Sequence, residues 1–181
     1  LGDRFGRRPL LQTGVAIFAA ASLLAAFADS SEILMAARAI TGIGAAMMMP
    51  ATLSIIIDVF PRDEQPKAIA IWSAVAGISV PLGLILGGLL LGVFWWGSVF
   101  LINVPTCIFL ILASSAIVPN SRDPNAQRVD IVGAAPSIAM LSTLIFGIIE
   151  AASRGWGDAL VLGAFAASAA LAATFAAYEL R

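Results

Sequence analysis

The stretch "LMAARAITGIGAAMMMP", Leu34–Pro50, places a single arginine in a run that is otherwise apolar or small. Whether that run belongs to a soluble core or to a membrane span decides the fold. Composition answers first. Of 181 residues, 60% are hydrophobic and 12% are charged, and the mean hydropathy is +0.98. A soluble domain carries about 25% charged residues because its surface must face water. This chain has too few to cover itself. Apolar runs of about 18 residues or more read as spans, and six can be drawn: 10–28, 33–57, 68–91, 98–118, 131–149 and 159–178. The expected fold class is all-α, a polytopic helical transmembrane protein.

The charges fall between those runs. Arg4, Arg7, Arg8, Arg62, Lys67, Arg122, Arg128 and Arg181 lie in every second loop or at the ends. The intervening loops hold Asp29, Glu32, Glu150 and Asp158 with one cation, Arg154. Excess lysine and arginine marks the cytoplasmic side, so both ends of the chain are expected to be cytoplasmic. Trp95, Trp96 and Trp156 then fall at the outer interface and Trp72 near the inner one, where amphipathic rings settle. The chain opens on Leu1 in a charged loop, which reads as an internal piece of a longer protein.

Proline and glycine punctuate the spans. Asp29 and Glu32 have the spacing of a capping box and are expected to start the second helix. Pro50, Pro81, Pro105 and Pro136 fall inside apolar runs and are each expected to mark a kink, since neighbouring helices can satisfy the freed carbonyls. Gly83 with Gly87, and Gly88 with Gly92, form two small-residue ladders on the third helix that permit close backbone approach. A bulky residue at Gly87 is expected to do more harm than one at Gly97, in the outer turn. The stretch "PNSRDPNAQRVD", 119–130, has linker composition and separates four helices, within 1–118, from two, within 131–181.

Enzymatic readings are thin. There is no histidine, hence no imidazole base, no histidine–metal site and no histidine-containing triad. No metal site and no bound cofactor are expected. "GIG" at Gly42–Gly44 is half a dinucleotide fingerprint, but Met47 stands at the third glycine position and no strand precedes it, so helix packing explains it better. The net charge of −1 and the lack of a basic cluster give no sign of nucleic acid. Cys107 stands alone inside a span, which leaves no internal disulfide.

Arg38 lies six residues after Glu32, about 9 Å inside the outer helix end at 1.5 Å per residue. A central arginine costs about 2.5 to 3.5 kcal/mol on insertion scales, so it should face a bundle interior or water. Thr41, Gly42, Ala45 and Ala46 follow at helical spacing and are small, which leaves room for a long guanidinium. Backbone, water, Asn103 or a residue elsewhere in the protein can partner it. A structural staple and a cavity or proton-path role both fit.

Several of these residues together carry a family resemblance. "LGDRFGRRPLL" resembles the cytoplasmic loop motif of the major facilitator superfamily, G-x-L-a-D-R-x-G-R-K-x-x-L, through Leu1, Asp3, Arg4, Gly6, Arg7, Arg8 and Leu11. "LMAARAITGIGAA" is similar to the superfamily's fourth-span arginine motif, R-x-x-q-G-x-g-a-a, through Arg38, Gly42, Gly44, Ala45 and Ala46, with Thr41 in place of glutamine. "WWGSVFLINVP", "SRDPNAQRVDIVGA" and "IIEAASRGWGD" resemble segments of the fourteen-span drug:proton antiporters, the EmrB/QacA-like group. One departure stands out. The antiporter motif g-x-x-x-G-P-x-x-G-G reads "SVPLGLILGG" here: Gly83, Gly87 and Gly88 match, Leu84 replaces proline, and Pro81 lies three residues earlier.

The resemblance implies a major facilitator-type bundle in which the six helices are spans three to eight. Residues 1–118 would be four helices of the N-terminal transport domain, 119–130 the cytoplasmic linker, and 131–181 two extra helices between the halves. The rest of the same chain would be a partner, with the lipid bilayer, protons and a small-molecule substrate. The implied function is proton-coupled efflux of drugs or of amphiphilic and cationic compounds by alternating access, with the proton gradient as energy source. Arg38, Thr41 and Asn103 would belong to the proton site or cavity. Asp3, Arg4, Gly6, Arg7 and Arg8 would form a conformational latch, and Pro81, Gly83, Gly87 and Gly88 the antiporter helix. Transport of a nutrient or metabolite, and a non-transporting helical scaffold, remain as alternatives.

Overall fold

The structure is a computed structural model, which describes residues 6–120 and 131–179, with side chains of 135–178 in the second stretch. Asp3, Arg4 and most of the 119–130 linker lie outside the described residues. Among the described residues seven helices follow: α1 Arg7–Ala26, α2 Ser31–Val59, α3 Gln65–Val93, α4 Ser98–Leu101, α5 Asn103–Ile117, α6 Ile131–Arg154 and α7 Ala159–Glu179. With α4 and α5 taken as one span, six helical segments among the described residues are long and apolar enough to cross a membrane. The helices fall into two compact units, Leu1–Gln127 and Arg128–Arg181.

Local chemistry sets the helix ends. Gly6 precedes α1 at φ 99°, a left-handed conformation that suits glycine. A side chain there would also press on Asn120 Oδ1 at 3.0 Å and on the Pro9 ring at 3.2 Å. The cap of α2 is Ser30 rather than Asp29: its hydroxyl accepts from the Ile33 amide at 3.3 Å. Serine one position later does the capping that the Asp29–Glu32 spacing suggested, and Glu32 falls in the first turn. α2 stops at Val59 because Phe60 precedes Pro61 and takes the extended conformation. Gln65 Nε2 then donates to the free carbonyls of Ile57 and Phe60 at 2.9 and 3.1 Å, closing the corner into α3.

Proline behaves unevenly. Helices run unbroken through Pro50, Pro81 and Pro136. The interruption comes at Ile102, between α4 and α5, where Pro105 has no amide to offer the Leu101 carbonyl one turn back. In the second unit Gly155 ends α6 at φ 88°, and Asp158 accepts from the Leu160 amide at 2.9 Å to start α7.

Lipid supplies no hydrophobic drive between spans, so packing rests on close approach and polar contacts. α1 lies between α2 and α5 and buries Leu11, Gly14, Val15, Ala21, Ser22, Ala25 and Ala26. α2 answers with Ala37, Thr41, Gly44 and Ala51. Gly14 and Gly44 meet backbone to backbone: a Cβ on Gly14 would stand 2.9 Å from the Gly44 carbonyl oxygen, and one on Gly44 would stand 2.7 Å from that of Gly14. Toward α5, Gln12 Nε2 donates to Ser115 Oγ at 2.7 Å and to Ser114 Oγ at 3.2 Å. α3 buries none of its residues. In the second unit α6 and α7 pair through Ala151, Val161 and Ser168, whose hydroxyl donates to the Met140 carbonyl at 3.0 Å. Trp156 stacks on Phe165 across the turn, with centroids 6.1 Å apart.

Candidate functional site

Arg38 is exposed on α2, one position round from the packed Ala37–Thr41–Gly44 face. Gly42 and Ala46, one and two turns on, are exposed too, and a Cβ on Gly42 would meet nothing within 4 Å. Of the four small residues expected beside the guanidinium, Gly42 and Ala46 are therefore open, while Ala45 is half-buried and Thr41 buried. Its neighbour is an aromatic ring: Arg38 Cζ lies 5.8 Å from the centroid of Phe100, in α4. Trp96 meets the same ring edge-on at 6.1 Å. A guanidinium over a π face gains about 0.5 to 2 kcal/mol, depending on how dry the site is. That is less than the cost of a central arginine in a span, so the contact positions the charge without neutralising it.

Among the described residues neither Thr41 nor Asn103, the two residues grouped with Arg38, hydrogen-bonds to it. Thr41 is buried, and its hydroxyl donates to the Ala37 carbonyl at 2.8 Å, so it belongs to the packed face of α2. Asn103 does not reach Arg38. Its Nδ2 donates to Ser22 Oγ on α1 at 3.3 Å.

Asn103 also lines a groove of about 650 Å³ between α3 and the α4–α5 span, with Ser79, Gly83, Gly87 and Thr106 among its walls. Here lies the glycine ladder. A Cβ on Gly83, Gly87, Gly88 or Gly92 would meet nothing within 4 Å, so within the described residues this ladder packs against nothing. Gly97, expected to be the tolerant position, is buried, and a Cβ there would run into the Ala26 carbonyl oxygen and the Trp95 ring nitrogen.

At the opposite end of α1 the cations of the loop motif reach two helices. Arg7 Nη1 pairs with Asp58 Oδ1 at 2.6 Å and donates to the Ser54 carbonyl at 3.3 Å, both near the end of α2. Arg8 Nη1 donates to the carbonyls of Val118 at 3.3 Å and Ser115 at 3.5 Å, at the end of α5. Adjacent arginines thus tie α1 to a different helix on each side. Asp58 was missed in the sequence, where the available signal was a carboxylate closing an apolar run three residues before a proline. In the second unit Glu150 accepts from Arg154 Nε at 2.5 Å one turn away, an exposed helical pair.

A profile of the Major Facilitator Superfamily matches residues 1–179. The multidrug efflux pump LfrA of Mycolicibacterium smegmatis is 43% identical over 97% of this chain and 35% of its own length. The tetracenomycin C resistance and export protein of Streptomyces glaucescens is 37% identical over 100% of the chain and 33% of its own length. The methyl viologen resistance protein SmvA of Salmonella typhimurium is 37% identical over 81% of the chain and 30% of its own length. The chain spans about a third of the length of these relatives. The match runs nearly end to end and coincides with the apolar helices described above. The chain therefore belongs to the Major Facilitator Superfamily, a polytopic helical membrane fold.

Proposed function

We propose that this chain forms part of a proton-driven exporter of amphiphilic or cationic small molecules, a transporter and not an enzyme. The observation that carries this reading is Arg38: a guanidinium on an apolar span, set over Phe100 and bordered by the open positions Gly42 and Ala46. Intramembrane cations of this kind mark substrate or proton pathways. The relatives, a multidrug efflux pump and an antibiotic resistance and export protein, supply the substrate class.

In this reading Arg38 tunes the charge of a proton site in a midplane cavity, with the proton gradient as energy source and no bound cofactor. Asp3, Arg4, Arg7 and Arg8, together with Asp58, act as a latch whose making and breaking follows alternating access. Residues 1–118 belong to the N-terminal transport domain, and 131–181 are the extra helices of a fourteen-span, EmrB/QacA-like transporter in a bacterial plasma membrane. Both ends of the segment are cytoplasmic, as the charge asymmetry favours.

Dye efflux tests this reading. Cells producing the intact protein should expel a fluorescent cationic dye, and a proton uncoupler should stop the expulsion. Efflux indifferent to the uncoupler removes proton coupling, and no efflux of any amphiphilic cation removes the substrate class.

A further inference from the structure

Among the described residues Arg38 makes no hydrogen bond and no ion pair, and its guanidinium contact is the Phe100 ring, 5.8 Å from Cζ. A guanidinium on a long flexible stem settles where its partner stands. The orientation of the Phe100 ring therefore decides where the charge sits.

Phe100 is half-buried in α4, a helix of four residues. A helix of one turn has little rigidity of its own, and two contacts supply what it lacks. The first holds the backbone. α4 packs on α1, where a Cβ on Gly97 would run into the Ala26 carbonyl oxygen. The Phe100 and Leu101 amides both donate to the Gly97 carbonyl at 3.0 Å, which closes the turn. The second holds the ring. Trp96 meets Phe100 with centroids 6.1 Å apart and planes at 81°, the edge-to-face arrangement in which the two ring quadrupoles are complementary.

Trp96 also faces the start of α2. With Asp29, Ser30 and Leu34 it lines a hollow of about 360 Å³, and Leu34 precedes Arg38 by about one helical turn. Trp96, Phe100 and Arg38 thus form a series that leads from the α3–α4 turn to the charge on α2.

We propose that Trp96 is a positioning residue for Arg38, acting through the Phe100 ring, so that the α3–α4 turn seated on α1 sets where the intramembrane charge stands. Movement of that turn would carry the guanidinium with it. The effect on export rests on the reading of Arg38 as part of a proton site, whereas the placement itself does not.

Magnetic resonance of the intact protein in lipid nanodiscs, with isotope-labelled arginine, tests the placement. The Arg38 side-chain resonance is the one missing from Arg38→Lys. The Phe100 ring current should displace it from its position in Phe100→Leu. Trp96→Leu should lose most of that displacement and Trp96→Phe should keep it. Trp96→Thr should act like Trp96→Leu, so either one that folds decides the matter. In dye efflux, Trp96→Leu should lower the rate about two- to fivefold, the factor that one exposed guanidinium–ring contact contributes. It should also move the pH profile in the direction that Phe100→Leu does, and Trp96→Phe should match wild type. A wild-type Arg38 resonance in Trp96→Leu or Trp96→Thr would overturn the proposal, as would loss of the displacement in Trp96→Phe. A lost displacement with rate and pH profile intact would uphold the placement and remove Arg38 from the export mechanism.

Discussion

Arg7 Nη1 lies 2.6 Å from Asp58 Oδ1, which ties the first turn of α1 to the last turn of α2. The two side chains remain 18% and 34% exposed, and pairs at that exposure contribute about 0 to 1 kcal/mol. So weak a pair does little for the fold. It suits the proposed latch, which would open and close with alternating access.

Asp58→Asn should therefore leave the melting temperature of the intact protein nearly unchanged while initial efflux rates fall severalfold. Substrate affinity should hold, because a latch biases conformational equilibrium and touches no substrate. Exchanging the charges, Arg7→Asp with Asp58→Arg, should restore part of the rate. An effect confined to binding affinity contradicts the latch.

The Gly14–Gly44 crossing makes a stability prediction. A methyl on Gly14 would press on backbone at 2.9 Å, which cannot rotate away. Gly14→Ala should destabilise the protein by about 1 to 3 kcal/mol, the usual cost of overpacking. Gly42→Ala meets open space and should be neutral, or stabilising by up to about 1 kcal/mol through helix propensity. Thermal unfolding of the detergent-purified protein separates the two.

Gly97→Ala should be worse than Gly87→Ala for thermal stability, since its new methyl collides with the Ala26 carbonyl while that on Gly87 meets no atom within 4 Å. This reverses the order that position along the sequence suggests. Equal melting temperatures for the two variants would contradict the packing of the α3–α4 turn on α1.

Those glycines mark what could and could not be read in advance. The spans were legible to within a few residues at most ends, because apolar length is a property of the chain itself. The superfamily was legible for a related reason: its motifs are local strings around Arg7 and Arg38. Which glycine meets which neighbour is not local. Gly83 and Gly87 have ladder spacing and face open space, whereas Gly14 and Gly44 have none of it, with Leu10, Phe18, Ile40 and Met48 one turn away, and meet backbone to backbone. Asp58 was hidden likewise, since its partner Arg7 comes from another helix. Asn103 was one of several candidate partners for Arg38, on polarity, and its amide donates to Ser22 on another helix.

Phe100 should act as a positioning residue for Arg38. Phe100→Leu keeps the bulk but loses the π face, about 0.5 to 2 kcal/mol of contact, and should lower efflux with an altered pH profile. Phe100→Tyr keeps the face and should behave like wild type. An unchanged pH profile in Phe100→Leu would mean that the contact at 5.8 Å has no part in placing the charge.

The central claim is that export by the intact protein runs against a proton flow that depends on Arg38. Proteoliposomes containing the intact protein and an internal pH dye, loaded with a cationic substrate and diluted into substrate-free buffer, measure this directly. Substrate leaving should draw protons inward, so the lumen should acidify with wild type, remain at its starting pH with Arg38→Ala, and acidify partially with Arg38→Lys, which keeps the charge without the planar fork. Substrate release with no pH change in wild type, or acidification by Arg38→Ala equal to wild type, would contradict the account.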